Sequence, residues 1–394
     1  MNKSIIQSLS KHYSNLFTLK GEEVTVFAPG RINLLGEHID YNDGVMLPTA
    51  IDLGLYLIGN RRNDRVVYLY ASAFDESFSL NTTKHVEKCE VPWANYIIGV
   101  IAQFQKRNID VPGFNLAFDG DLPIGAGLSS SAALECAVVT FINQITNANI
   151  NKIDLLKMAQ KSEHEFAGVQ CGIMDQFASM MSKKDHLILL DSVTLDFEYL
   201  KMDLGDFCFV LINSNVEHSL MSSEYNLRRK ECEQVLSKFK TNNRLVVNFR
   251  DCTLQMLKEI KNDMEPFLYK RAKYVIEEMH RVKRAIKALN SNDLTRLGEI
   301  MYETHLGLSE DYEVSCKELD FLCGFTLEIE SVLGARMMGG GFGGCTLNLI
   351  RKDSVDLITN EISIAYKNKF KIEPTIIPVN LGSGASIIEQ NVYI

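Results

Sequence analysis

The run Leu122-Pro123-Ile124-Gly125-Ala126-Gly127-Leu128-Ser129-Ser130-Ser131-Ala132-Ala133 sets two glycines and three serines directly before an apolar, helix-compatible stretch, Ala132 to Phe141. A loop of that composition can turn several backbone N–H groups toward one point, and the helix N-terminus adds partial positive charge there. That is the chemistry of a phosphate cradle. No Gly-Lys-Ser/Thr closes the run, so it is not a Walker A loop. An ordinary Gly/Ser turn before a helix is the plainer alternative. Three consecutive hydroxyls at the helix start favour contact with phosphate oxygens or a magnesium ion.

Three further clusters carry polar chemistry. Ala28 to Gly44 packs Arg31, Glu37, His38 and Asp40 between turn-forming residues. Along an extended segment, neighbours in Glu37-His38-x-Asp40 point to opposite sides, which disfavours one metal ion held by all three. Hydrogen bonding to a polyhydroxylated ligand suits them better, because carboxylates accept from hydroxyls and His can donate or accept. A solvated polar loop is the bland alternative. Gly339-Gly340-Gly341-Phe342-Gly343-Gly344 formally matches Gly-x-Gly-x-x-Gly, but the following Cys345 to Ile350 reads as a strand, not a helix. The dinucleotide reading fails on that context. A loop between two strands, brought close to a ligand or another segment, fits. In Glu163 to Phe177, Asp175 follows a glycine turn among apolar neighbours. Alone, it reads either as an acid at a helix start or as a catalytic base. His164-Glu165 lacks the second His of a zinc protease.

These clusters need elements to hold them. Strand patterns fall at Glu23 to Ala28, Ile51 to Ile58, Val66 to Tyr70, Phe114 to Phe118, His186 to Asp191, Phe207 to Ile212 and Pro374 to Val379. A strand, the glycine cluster and a second strand occupy Arg336 to Ile350. Helical spacing is read at Met1 to Phe17, Tyr96 to Phe104, Ala132 to about Asn147, Lys152 to Phe166, Met174 to Met181, Tyr225 to Phe239, Pro266 to Leu289 and Leu294 to Leu306. Interleaved strands and helices give an α+β or α/β class. The length of 394 residues allows one large or two moderate domains, and a division near residues 185–205 is expected.

Bulk properties exclude some partners. The net charge of −9 argues against nucleic acid, which needs a basic face. No run is long and uncharged enough to span a bilayer, and the N-terminus lacks a signal-peptide core. Nine cysteines without a Cys-x-x-Cys pair read as reduced thiols in the cytoplasm.

Taken together, the clusters resemble the galactokinase branch of the GHMP small-molecule kinases. Pro29-Gly30-Arg31-x-Asn33-Leu34-x-Gly36-Glu37-His38-x-Asp40-Tyr41-Asn42 is similar to the galactokinase signature. Leu122 to Ala133 is similar to the superfamily phosphate loop, Cys171-Gly172-Ile173-Met174-Asp175-Gln176 to the catalytic-Asp motif, and Gly339 to Gly344 to the third motif. Trp93 to Tyr96, Tyr225 to Cys232 and Tyr312 to Asp320 add smaller matches. Four ordered motifs are far more specific than any one.

The resemblance implies an α+β fold of two domains: a ribosomal S5-like α/β domain over residues 1–200 and a ferredoxin-like α/β domain over 201–394, with the site in the cleft. It implies ATP- and magnesium-dependent phosphorylation of the C1 hydroxyl of α-D-galactose. Carried over by position, Arg31 and Asp175 flank the reacting hydroxyl. Glu37, His38, Asp40, Gly172 and Tyr225 hold the sugar. Gly125, Ala126, Gly127, Leu128, Ser129, Ser130 and Ser131 hold the ATP phosphates, with Ser131 and Glu163 on magnesium and Trp93 and Tyr96 near the adenine. A cytoplasmic monomer is expected. Ile39 and the segment Thr304 to Ser309 depart from the family pattern; Ile39 is expected to face away from the sugar. The alternatives are a kinase for N-acetylgalactosamine or L-arabinose, and a non-catalytic sensor of galactose and ATP. The intact serine loop disfavours the sensor.

Overall fold

The computed structural model describes residues 2–17, 21–123, 125–216 and 221–393, so Ile124 of the serine loop lies outside the described residues. The strand-forming runs of the first half build a six-stranded sheet. Its spatial order is Ser386–Tyr393, Gly21–Asn33, Pro48–Arg61, Phe114–Gly120, Val66–Ala71, Glu76–Asn81. All neighbours are antiparallel except Val66–Ala71 beside Phe114–Gly120. Parallel neighbours need a crossover, and the helix Pro92–Lys106 supplies it, with Pro92 in the first turn, where a missing N–H costs nothing.

One face of this sheet buries Val24, Val26, Leu57 and Leu116 in a core shared with Ile101, Phe141 and Phe177 from the helices Pro92–Lys106, Ser130–Thr146 and Met174–Met181. The opposite face carries the N-terminal helix Lys3–Leu16. Its three-and-four spacing lays Leu9 and Tyr13 on Phe27, Tyr56 and Tyr70. Full burial of Leu9 contributes about 1.5–3 kcal/mol.

The second sheet orders its strands Val332–Met337, Cys345–Arg351, Phe207–Asn213, Thr375–Val379, all antiparallel. Numbered along the chain this is 2-3-1-4, the order of a ferredoxin-like β-α-β-β-α-β unit. Helices Lys317–Thr326 and Val355–Phe370 cover one face through Leu322, Ile358, Ile362 and Tyr366. Helix Lys317–Thr326 also carries an exposed Gly324 around which an added Cβ would meet nothing within 4 Å. Gly324→Ala is therefore expected to stabilise by about 0.5–1 kcal/mol. A urea melt checks this, and a lowered midpoint would contradict it.

Several elements differ from the sequence reading, which contains neither the helices Lys317–Thr326 and Val355–Phe370 nor the strands Glu76–Asn81 and Phe197–Lys201. The helix expected over Lys152 to Phe166 is regular only over Lys152–Ser162. It widens into a π turn, Glu163–Ala167, closed by Gly168 with φ at 80°. The last strand, Ser386–Tyr393, has no counterpart in the sequence reading, and it pairs with the first sheet although it lies within the residues 201–394 assigned to the second domain.

Candidate active site

The serine loop ends where Ser129 takes a left-handed conformation (φ 58°) and helix Ser130–Thr146 begins. Strand Gly21–Asn33 fixes the loop from below. Arg31 N donates to the Leu128 carbonyl at 3.2 Å, and Arg31 Nη1 donates to the Gly127 carbonyl at 2.6 Å. The glycine cluster after strand Val332–Met337 closes over it. At Gly341 (φ 81°) a Cβ would stand 2.1 Å from the Val314 carbonyl oxygen, so a side chain there is excluded. The close backbone approach expected of this cluster is present, against both the serine loop and the Val314 segment.

Arg31 joins the cradle to Asp175. Its Nε donates to Asp175 Oδ1 at 2.8 Å. Helix Met174–Met181 presents Asp175 in its first turn, where a carboxylate is favoured. Arg31 is 3% exposed. Burial pulls its pKa down, but the carboxylates of Asp175, Glu37 and Asp40 outweigh that and raise it. The guanidinium stays charged at the centre of three acids.

At the helix start, Ser131 Oγ donates to Glu163 Oε1 at 3.0 Å. Gln176 Nε2 holds the other oxygen of Glu163 at 2.7 Å. Burial, followed by repulsion from Asp175, pushes Glu163 up to about 7. Among the described residues, no group of three or more His, Cys, Asp or Glu could hold a metal unaided. Two hard oxygen donors beside a phosphate cradle still fit magnesium, which keeps waters and phosphate oxygens in its shell.

The other end of the cavity is acidic and aromatic. Glu37 Oε1 accepts from the Gly339 N–H at 2.8 Å and pairs with Arg336. Tyr274 and Glu278 of the long helix Pro266–Asn290 brace this segment, through the Glu37 carbonyl at 2.9 Å and the Gly36 N–H at 2.8 Å. His38 Nδ1 lies 2.7 Å from Tyr41 Oη, and its buried Nε2 has no hydrogen-bond partner. Burial, with the charges of Arg228 and Arg336, lowers His38 to about 3 against an opposing pull from the Gly340 backbone. The imidazole is neutral. Tyr225 and Tyr312 flank it at ring distances of 5.3 and 5.0 Å. Asp40 is pushed up to about 7, by burial first and then by Asp175 and Glu37. A Cβ on Gly172 would lie 1.9 Å from Asp40 Oδ2.

One cavity of about 350 Å³ gathers most of the expected site: Arg31, Glu37, His38, Asp40, Gly125, Gly127 to Ser131, Glu163, Asp175 and Tyr225 all line it. Gly172 and Ala126 do not. Gly172 stands behind Asp40, and Ala126 is buried at the base of the loop, against Gly344. Tyr96 lines the cavity. Trp93 does not; its indole donates to Glu76 at 2.7 Å and packs on Phe78 and Phe118. Ile39 is fully buried in the core, away from the cavity as expected. Thr304 and His305 act structurally, binding Glu278 at 2.9 Å and the Met337 N–H at 3.2 Å. The sequence reading missed Arg336, the fully buried partner of Glu37; its place three residues before the glycine cluster was the available signal.

Comparison with known proteins agrees with this geometry. Residues 11–61 match the galactokinase galactose-binding signature, residues 95–183 the GHMP kinases N terminal domain, and residues 285–368 the GHMP kinases C terminal domain. A galactokinase of Clostridium acetobutylicum is 40% identical over 98% of this chain and 99% of its own. One from Thermosipho africanus is 41% identical over 92% and 99%. The crystal structure of Lactococcus lactis galactokinase complexed with galactose superposes with a TM-score of 0.94 at 31% identity, covering 98% of this chain and 100% of that one. A mevalonate kinase structure shares the fold alone, with a TM-score of 0.63 at 17% identity over 91% and 99%. With a near-complete match to these relatives, and with the signature and both kinase domains in order, the chain belongs to the galactokinase family of GHMP kinases.

Proposed function

We propose that the protein transfers the γ-phosphoryl group of ATP to the C1 hydroxyl of α-D-galactose, releasing ADP and galactose 1-phosphate. The observation that carries this reading is the position of Arg31, whose guanidinium touches Gly127 of the phosphate cradle and Asp175 at the acidic, aromatic end. In the reaction the hydroxyl oxygen bonds to the γ-phosphorus, and the bond from that phosphorus to the β,γ-bridging oxygen breaks. The hydroxyl proton passes to the Asp175 carboxylate. Arg31 occupies Asp175 Oδ1 and leaves Oδ2 for the hydroxyl. Phosphoryl transfer runs through a loose transition state, so holding acceptor and donor in line supplies much of the catalysis. In-line holding falls to Glu37, His38, Asp40 and Tyr225, with Gly172 making room for Asp40. Backbone N–H groups of Gly125 and of Gly127 to Ser131, with the charge of Arg31, receive the phosphates. Ser131 and Glu163 would hold magnesium, which when bound neutralises phosphate charge.

A sugar-dependent ADP-release assay tests the reading. Galactose is expected to give the highest kcat/KM in a panel with N-acetylgalactosamine and L-arabinose. ADP release that no sugar stimulates would leave a sensor instead. A monomer is proposed as the active unit. The nine unpaired cysteines support a reducing, cytoplasmic setting; among the described residues, no helix is long and apolar enough to cross a membrane. The division at residue 200 is proposed with Ser386–Tyr393 assigned to the first domain.

Asp40 also sets a pH dependence. As a hydrogen-bond acceptor for the sugar it must be ionised, yet in the empty site it holds its proton up to about 7. Galactose KM is therefore expected to rise as pH falls below about 7, with proton release on binding at about pH 6. Calorimetry in buffers of different ionisation heat reads that proton, and Asp40→Asn removes it. The sign for stability is opposite: between about 7 and the usual carboxylate range, the folded state holds a proton that the unfolded chain has lost. The empty protein therefore gains stability as pH falls through that window. A KM that stays flat across neutral pH would contradict the assignment.

A further inference from the structure

Arg336 stands in the strand Val332–Met337 of the second sheet and is fully buried. A guanidinium carries five N–H donors. Of its three nitrogens only Nη2 is bonded, donating to Glu37 Oε1, while Nε and Nη1 are buried without a hydrogen-bond partner. Among the described residues, no other acid pairs with it. Replacing such a buried pair by apolar residues of similar volume is often neutral or stabilising. Fold stability therefore accounts poorly for an arginine here, and its one partner points to Glu37.

The two oxygens of that carboxylate are in different states. Oε1 receives Arg336 and also the Gly339 N–H at 2.8 Å. Oε2 receives no hydrogen bond among the described residues, and Glu37 lines the cavity. The backbone around it is held as well, by Tyr274 on the Glu37 carbonyl and Glu278 on the Gly36 N–H. All four holding residues lie in the second half of the chain, whereas Glu37 lies in the first.

We propose that Arg336 is a specificity-determining positioning residue: by occupying Glu37 Oε1 it leaves Oε2 as one fixed acceptor, which demands a hydroxyl at one carbon of the sugar. A carboxylate with both oxygens free could turn to suit whatever it met. With Oε1 tied from two sides, the group cannot turn. A sugar that lacks the matching hydroxyl then leaves a buried acceptor unpaired, which costs far more than a missing apolar contact. The rigid, planar guanidinium suits this task better than the flexible point charge of lysine. The inference deepens the proposed kinase reading and rests on it.

The test compares wild type, Arg336→Met and Arg336→Lys on galactose and on its monodeoxy analogues at C2, C3, C4 and C6, with the KM for ATP measured alongside. In Arg336→Met the galactose kcat/KM is expected to fall by about 10–100-fold through KM, the loss of one hydrogen bond to a charged group. The analogue that lacks the hydroxyl facing Glu37 has no such bond to lose, so it should fall by less than about threefold, while the other analogues fall like galactose. Changes in kcat and in the KM for ATP should stay within about threefold. Arg336→Lys is expected to lie between wild type and Arg336→Met on every sugar. An equal loss on all the sugars, or a joint fall in kcat and ATP affinity, is what a merely structural arginine would give, and either overturns the proposal. Wild-type values on every sugar in either variant overturn it too. Should Arg336→Met fail to fold, Arg336→Lys decides by the same comparison. If the kinase reading fails instead, wild type releases no ADP with any of the sugars, and the selective loss is read from sugar binding by calorimetry.

Discussion

Asp175→Asn is expected to lower kcat by about 10²–10⁴-fold, the range for losing a positioned proton acceptor, while galactose affinity stays within a few-fold of wild type. Asparagine matches aspartate in shape, so helix Met174–Met181 and the Phe177 packing beneath it persist. What disappears is the charge. The Asn amide oxygen can still receive Arg31 Nε, which now holds Oδ1 at 2.8 Å. Its NH₂ then faces the C1 hydroxyl and donates where the carboxylate accepted. The hydroxyl keeps a neighbour but has no acceptor for its proton. Sugar binding survives because Glu37, His38, Asp40 and Tyr225 are untouched. Turnover by Asp175→Asn within a few-fold of wild type would rule out the proton-accepting role and leave Asp175 as an orienting group.

Gly172→Ala is expected to strike the opposite parameter. Its methyl would stand 1.9 Å from Asp40 Oδ2 and 2.3 Å from Asp40 Cγ. Neither group can yield cheaply. Asp40 opens the short 3-10 turn Asp40–Asn42, and Asn42 is anchored by a 2.7 Å bond from its side chain to the His38 carbonyl. Displacing the carboxylate removes a charge-assisted hydrogen bond to the sugar, about 1.5–3 kcal/mol. The galactose KM should therefore rise by about tenfold or more. The KM for ATP should change little, because the cradle is built from other segments. Gly324→Ala, where the new methyl meets nothing, serves as the control for glycine replacement itself. An unchanged galactose KM in Gly172→Ala would show that Asp40 does not touch the sugar.

The local chemistry of this site was legible because it is written in short, contiguous runs. The serine loop, the Glu37 to Asp40 cluster and Asp175 each declare their residue types within a few positions, and the fold brings all three to one cavity. Long-range partnerships were not legible. Glu37 meets Arg336 across 299 positions, and nothing near either residue names the other. Trp93 and Tyr96 share one helix turn, yet only Tyr96 reaches the cavity, because Glu76 on an edge strand draws the indole away. That edge strand, Glu76–Asn81, does alternate polar and apolar residues from Ser77 to Asn81, a signal the sequence reading passed over, whereas the last strand, Ser386–Tyr393, breaks its alternation with the run Glu389-Gln390-Asn391. The π turn at Glu163–Ala167 follows from packing around Glu163 and has no sequence signature of its own.

The most direct test of the central claim is phosphorus NMR of the product formed from galactose and ATP. Phosphoryl transfer to the C1 hydroxyl predicts a phosphate ester signal coupled to the anomeric proton, growing as ADP accumulates and growing about 10²–10⁴-fold more slowly with Asp175→Asn. ADP formation without an ester, or an ester on any other carbon, would contradict it.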